Sequence, residues 1–151
     1  MLSGVALKGR GYKSAAVSKI PEENFPPCIK KMLEGLVDGR KRAIFVLINF
    51  LHTVGYGWDE IDAKLNEWNS RNPEQISESY LKGQLEYAKK QNRQILPPNC
   101  SNAGYYKDIK VCIPDNYCST VRNPAGYAAK KSAFSANKNS KKPAKRRNRA
   151  I

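Results

Sequence analysis

Four cysteines are the residues of this chain best suited to bind a metal. They are Cys28, Cys100, Cys112 and Cys118. Structural zinc sites usually contain two cysteines separated by two to four residues, whereas the closest pair here, Cys112 and Cys118, is separated by five. Irregularly spaced sets of four cysteines are common ligands of 4Fe–4S clusters. The spacing favours a 4Fe–4S cluster over zinc, and it leaves open a third possibility, that the cysteines are unliganded core residues.

The cellular compartment decides whether such cysteines form disulfides instead. No stretch of the sequence approaches the ~20 apolar residues of a membrane span. Lys8, Arg10 and Lys13 interrupt the segment where a secretory signal would need an apolar core. We therefore expect a cytoplasmic protein with no membrane partner. Because disulfides are rare in that reducing compartment, metal binding is the better explanation of the cysteines.

The chain is strongly basic, with 27 Lys and Arg against 13 Asp and Glu and a formal net charge of +14. Nine of these cations lie in residues 130–151, which contain no acid. This composition predicts a disordered basic tail over 130–151. Excess positive charge favours a polyanionic partner, because binding to phosphates releases condensed counterions. We expect a nucleoid-associated protein that binds nucleic acid.

Helical spacing of apolar residues predicts an all-α domain over residues 21–129, after a flexible lead of residues 1–20. A first helix begins at Phe25-Pro26-Pro27-Cys28 and ends near Gly39, since proline is tolerated in a first helical turn and glycine at a helix end. Three further helices are predicted over residues 43–54, 58–69 and 77–91. The first of these three is apolar on most of its circumference, which indicates a central, buried helix.

The segment 99–127 has a different character, because it is rich in loop-forming residues and holds three of the four cysteines. It contains too few apolar residues to fold around a core of its own. We expect a bound cluster to order this loop-rich part and to connect it, through Cys28, to the first helix.

Several short motifs resemble the C-terminal iron–sulfur domain of the archaeal and eukaryotic DNA primase large subunit. The Phe25-Pro26-Pro27-Cys28 opening, the Gly39-Arg40-Lys41-Arg42 stretch before Phe50-Leu51, and the acidic helix start at Trp58-Asp59-Glu60 are each similar to that family. Pro98-Asn99-Cys100, Val111-Cys112 and Cys118 resemble its later cluster ligands. The resemblance runs from about Phe25 to Ala128.

This resemblance implies a helical fold with a 4Fe–4S cluster held by Cys28, Cys100, Cys112 and Cys118. It implies an accessory subunit that catalyses no reaction itself. Such a domain binds the DNA template, the RNA primer with its 5′-triphosphate, and the RNA–DNA duplex, and so supports RNA primer synthesis in DNA replication by a separate primase catalytic subunit.

Candidate contacts to nucleic acid follow from residue type and position. Cations at a helix start lie beside free N–H groups, an arrangement that suits a triphosphate. An aromatic ring beside a cation can stack on a base and pair with a phosphate. Polar side chains on the central helix could also hydrogen-bond a base, although burial in the core is the simpler explanation for them. The candidates are Arg40, Lys41, Arg42, Asn49, His52, Tyr80 and Lys82.

Two other functions fit the same features. One is a zinc-stapled nucleic-acid-binding protein, for RNA or ribosomes, with no role in priming. The other is an iron–sulfur redox or repair protein. Independent nucleotidyl transfer is not expected, because it needs paired carboxylates that hold Mg²⁺, and the acidic residues Asp59, Glu60 and Asp62 are explained by a helix start.

Overall fold

The computed structural model describes residues 19–91 and 93–135. These residues form helices and short 3₁₀ turns and contain no strand, which confirms the predicted all-α class. The helices are α1 (Pro27–Leu33), α2 (Arg40–Thr53), α3 (Trp58–Arg71), α4 (Glu78–Lys90) and α5 (residues 124–135). Residues 1–18 of the predicted lead over 1–20 and the tail residues 136–151 lie outside the described residues, whereas Ile20, at the end of that lead, is buried.

Helix α2 is the centre of the domain, and it contacts α3, α4 and the 3₁₀ turn Ala103–Tyr105. Its apolar residues lie on nearly all sides, so the helix is stable only when other elements surround it. Ile44, Leu47 and Leu51 are completely buried. Ile61, Leu65 and Trp68 form the buried face of α3, and Trp68 Nε1 donates a hydrogen bond to the Met32 carbonyl oxygen at 2.9 Å. This bond ties α3 to α1, the helix that carries Cys28.

Helix α1 is shorter than predicted, because it ends at Leu33 rather than near Gly39. Gly35 adopts a φ of +108°, which L-residues rarely adopt, and a Cβ there would lie 2.6 Å from the Arg71 carbonyl oxygen. The chain therefore turns at this glycine, close against the end of α3. Leu36 remains buried beyond the turn, whereas Val37 is 74% exposed.

Gly39 caps the start of α2 instead of ending α1, so the predicted role of this glycine was wrong. Its φ is +73°, in the left-handed region that favours glycine. A Cβ at this position would lie only 2.1 Å from Ile109 Cγ2. The close approach shows that the late, cysteine-bearing segment packs directly against the start of α2.

The boundary predicted for the basic tail lies too early, because residues 124–135 are helical. Pro124 occupies the first position of α5, where its missing N–H is tolerated. Ala125, Tyr127 and Ala128 are buried. Lys130 and Lys131 were assigned to the tail by their charge, yet both belong to α5. None of the described helices is both long enough and apolar enough to cross a membrane.

Candidate metal centre and nucleic-acid interface

The four cysteines line one cavity of about 330 Å³, although Cys28 and Cys100 are far apart in the sequence. Cys28 lies in the first turn of α1, which Pro26 and Pro27 begin. Cys112 follows Val111, a completely buried residue. Residues of α1 and of the late segment thus line the same cavity. All four cysteines are free of disulfides.

Backbone hydrogen bonds hold Cys100 in place at one side of this cavity. Its N–H donates to the Arg122 carbonyl oxygen at 2.7 Å. The Asn123 side-chain amide donates to the Pro97 carbonyl oxygen at 2.7 Å, and the Tyr106 hydroxyl donates to that of Pro98 at 2.7 Å. These bonds hold Pro97 and Pro98, which precede Cys100, against the residues that lead into α5.

Asp115 holds Cys118, which lies in the 3₁₀ turn Asn116–Thr120. Its Oδ1 accepts hydrogen bonds from the N–H groups of Tyr117 at 3.0 Å and Cys118 at 3.3 Å. Its Oδ2 accepts a 2.6 Å bond from the Tyr127 hydroxyl. Burial opposes ionisation of Asp115, but the bonds from Tyr127 and the backbone N–H groups keep its pKa below the usual value. Sequence reasoning missed Asp115 and Tyr127, because their pairing requires α5.

The surroundings of three of the thiols oppose their ionisation in the absence of a cation. Burial, and then repulsion from the other three cysteines, raises the pKa of Cys28 far above its usual value. Burial is also the main cause that raises the pKa of Cys100 and of Cys118. A bound cation reverses this balance because it stabilises thiolates directly. The Cys28, Cys100 and Cys118 thiols are therefore protonated unless positive charge enters the cavity.

Four cysteines usually hold either a single zinc ion or a 4Fe–4S cluster. Four thiolates around one zinc have sulfur atoms about 4 Å apart, given Zn–S bonds of about 2.3 Å. The cavity is much larger than a single ion, and apolar residues such as Ile113 and Val121 line it between the thiols. These features suit a 4Fe–4S cluster. In the described part of the chain, no group of three or more His, Cys, Asp or Glu side chains is arranged to hold a metal ion.

Of the three cations at the start of α2, two bond to other parts of the domain. Arg40 Nη1 donates to the Glu74 carbonyl oxygen at 2.7 Å, and its Nη2 lies 3.5 Å from the Glu74 carboxylate. Arg42 Nη1 donates to the Gly104 carbonyl oxygen at 2.7 Å. Arg42 therefore connects α2 to the loop between Cys100 and Cys112. The Arg42 guanidinium remains exposed and keeps further N–H donors for a ligand. The Arg40 guanidinium instead bonds to Glu74, in the connection between α3 and α4.

Lys41 contacts Tyr80, a pairing that the sequence did not predict. The Lys41 Nζ lies 4.9 Å from the centre of the Tyr80 ring, within the range of a cation–π interaction. Lys82 was predicted to lie beside Tyr80 on the outer surface of α4, but residues two apart on a helix point to different sides. The structure thus brings together Lys41 and Tyr80, and it leaves Lys82 exposed on another side of α4.

Asn49 and His52 are held by the domain itself. Asn49 is buried, and its amide donates to the Phe45 carbonyl oxygen at 3.0 Å. The His52 ring stacks on Trp58 with centroids 4.2 Å apart and planes 21° apart. Burial lowers the pKa of His52 below 6.5, so its imidazole is neutral at pH 7. The structure gives both residues packing partners, and neither extends the charged surface at the start of α2.

Comparison of this chain with known proteins finds no relative. No protein-family model, no curated protein and no solved structure matches it.

Proposed function

We propose that this chain is an iron–sulfur domain of the DNA primase large-subunit type, a non-catalytic accessory that binds a 4Fe–4S cluster and nucleic acid. The observation that carries the proposal is the convergence of Cys28, Cys100, Cys112 and Cys118 on one cavity. Two of these cysteines, Cys28 and Cys100, are separated by more than seventy residues, and a shared ligand would explain why distant segments line one cavity with their thiols.

A cluster would also explain how the late segment stays folded. Between residues 99 and 123, only Tyr106, Ile109 and Val111 are buried apolar residues. Burial of so few side chains leaves little hydrophobic stabilisation to offset the conformational entropy lost by ordering the loop. When bound, the cluster supplies iron–thiolate bonds that cross-link this loop to α1.

The proposed partner surface combines the start of α2 with the basic tail. Lys41 and Arg42 lie in the first turn of a 14-residue helix, where free N–H groups and the helix dipole add to the attraction for phosphate. DNA template and RNA primer, alone and as an RNA–DNA duplex, fit this charge. In priming, phosphodiester bond formation belongs to a separate catalytic subunit, with which this domain would act.

The first test is anaerobic purification of the full chain, followed by absorption spectroscopy and measurement of iron, sulfide and zinc. We expect a brown protein with a broad absorption band at about 400 nm and about four irons per chain, as thiolate-ligated clusters contain. A colourless protein with one zinc would contradict the cluster and favour the zinc-stapled nucleic-acid binder. A reversible cluster potential with negligible nucleic-acid affinity would favour a redox or repair protein.

The priming role predicts that Lys41 and Arg42 recognise the 5′-triphosphate of the primer. Replacing either with Ala should weaken binding to a 5′-triphosphorylated primer–template about tenfold more than to its 5′-hydroxyl counterpart, because a charged hydrogen bond is worth about 1.5–3 kcal/mol. Fluorescence anisotropy with the two substrates measures the difference.

The matched control for this test is Lys82→Ala, which removes one exposed cation from another side of the domain. It should weaken binding to both primer–templates equally and slightly. Iron content per chain must also be measured for Arg42→Ala, since this change removes the bond to Gly104 in the cysteine loop. Equal losses on the two substrates for Lys41→Ala and Arg42→Ala would refute triphosphate recognition.

A further inference from the structure

Gly83 lies in the middle of α4 at a position where the fold of the described residues does not require glycine. Its backbone is helical, and a Cβ built there would meet nothing within 4 Å among those residues. The buried residues of α4, Leu81 and Leu85, lie on the opposite side of the helix. Glycine within an exposed helix is destabilising relative to alanine. A requirement outside the described domain, such as close approach of a ligand, would explain its presence.

Two tyrosines flank this glycine on the outer surface of α4. Tyr80 and Tyr87 lie three residues before and four residues after Gly83, and these spacings place all three on one side of the helix. The Tyr87 ring is 65% exposed. The two tyrosines are about 10 Å apart along the helix axis, with a notch of bare backbone between them.

This surface continues onto α2 through Lys41, whose Nζ lies over the Tyr80 ring. One helical turn beyond Lys41, the Phe45 ring is 42% exposed and contacts Tyr105 with centroids 5.7 Å apart. We name Tyr105, Phe45, Tyr80, Gly83 and Tyr87 the aromatic band. It contains residues from α2, α4 and the Ala103–Tyr105 turn.

The charges beside the aromatic band are mainly positive. Lys41 lies within it, Arg42 is adjacent to it on α2, and Lys90 follows Gly83 by seven residues on the same side of α4. Glu86 is the acid nearest to Gly83 along this surface, and it already pairs with Lys89 at 3.3 Å. The band therefore combines two exposed rings, Phe45 and Tyr87, and two half-buried rings, Tyr80 and Tyr105, with an excess of cations. Rings with cations beside them are typical of surfaces that bind single-stranded nucleic acid.

We infer that the aromatic band binds single-stranded nucleic acid, with the strand crossing α4 at Gly83 and its bases stacked on exposed rings. This inference rests on the proposed function and adds to it the strand form and the route that the strand takes. A duplex fits less well, because its base faces are already stacked and cannot reach the rings.

Two substitutions test this inference in the full chain loaded with its metal. Tyr87→Ala should weaken binding to a labelled single-stranded oligonucleotide by about 5- to 100-fold, the loss typical of one base–aromatic stack, and should leave duplex binding unchanged. Gly83→Ala should raise the midpoint of thermal unfolding by about 3–5 °C and weaken single-strand binding several-fold, because its methyl group fills the notch. If Gly83 had only a structural role, Gly83→Ala would not raise the thermal stability and at the same time weaken single-strand binding.

Leu96→Ala is the matched control, because Leu96 is an exposed apolar residue beyond the far end of α2 and lies outside the aromatic band. It should change neither measurement. If both test variants bind the single strand as tightly as the wild-type protein, or lose single-strand and duplex binding equally, the inference is refuted while the proposed function stands. If the wild-type protein binds neither nucleic acid, the proposed function fails and this inference fails with it.

Discussion

Cys28→Ser is expected to abolish cluster retention and to free the late segment from α1. Cys28 is the sole cysteine outside residues 100–118, so its bond to the cluster is the one that would cross-link the two parts of the domain. A serine hydroxyl has nearly the same size but is a poor ligand for iron in a sulfur-rich site, where soft thiolates are preferred. We expect loss of most of the absorption at about 400 nm and faster proteolysis within residues 99–123.

Ser101→Ala provides the control for this experiment. Ser101 lines the same cavity and follows Cys100, so its replacement tests whether any change in the lining causes loss of the cluster. This variant should keep the wild-type iron and sulfide content. If Cys28→Ser keeps the wild-type spectrum and iron content, Cys28 is an unliganded core residue and the four-cysteine centre is wrong.

Gly39→Ala is expected to destabilise the domain by about 3 kcal/mol. Alanine in the left-handed conformation costs about 1–2 kcal/mol, and the overlap of its Cβ with Ile109 adds a further cost of overpacking. Relief of that overlap requires the late segment to move away from the start of α2. Urea unfolding followed by tryptophan fluorescence measures the free energy of unfolding, since Trp68 is completely buried.

A double-mutant cycle separates the two causes of this destabilisation. Ile109→Ala removes the Cγ2 atom that the new methyl group would strike, so Gly39→Ala should cost less free energy of unfolding in that background than in the wild type. Gly83→Ala supplies a second control, because the same chemical change there should stabilise the domain. Equal costs of Gly39→Ala in the two backgrounds would contradict the steric explanation.

The sequence predicted α2, α3 and α4 because their apolar residues repeat at helical spacing over three or more turns. It failed where a glycine changed the chain direction. Gly35 ends α1 through contact with Arg71, and Gly39 caps α2 through contact with Ile109. Both contacts join residues far apart in the sequence, so no local pattern could reveal them. The start of α5 was missed because Lys130 and Lys131 resemble the charged tail, whereas Ala125, Tyr127 and Ala128 are packed in the domain.

The residues of the candidate site also fall into two groups, those that the sequence indicated and those whose role depends on the folded structure. The four cysteines were selected from residue type and spacing alone, and the structure places all four along one cavity. Asp115 was not found, because its role depends on the turn that holds Cys118 and on Tyr127 from α5. The pairing of Lys41 with Tyr80 depends on how α2 and α4 pack, so residue type alone could not choose Lys41 over Lys82.

The position of Tyr127 also bears on biosynthesis. Helices α2, α3 and α4 are consecutive in the sequence and contact one another, so they can fold while the rest of the chain is being synthesised. The Cys118 turn gains its bond from Tyr127 only after α5 has left the ribosome. Delivery of iron and sulfide to a nascent chain would therefore meet an incomplete pocket, and maturation of the centre would follow translation of α5.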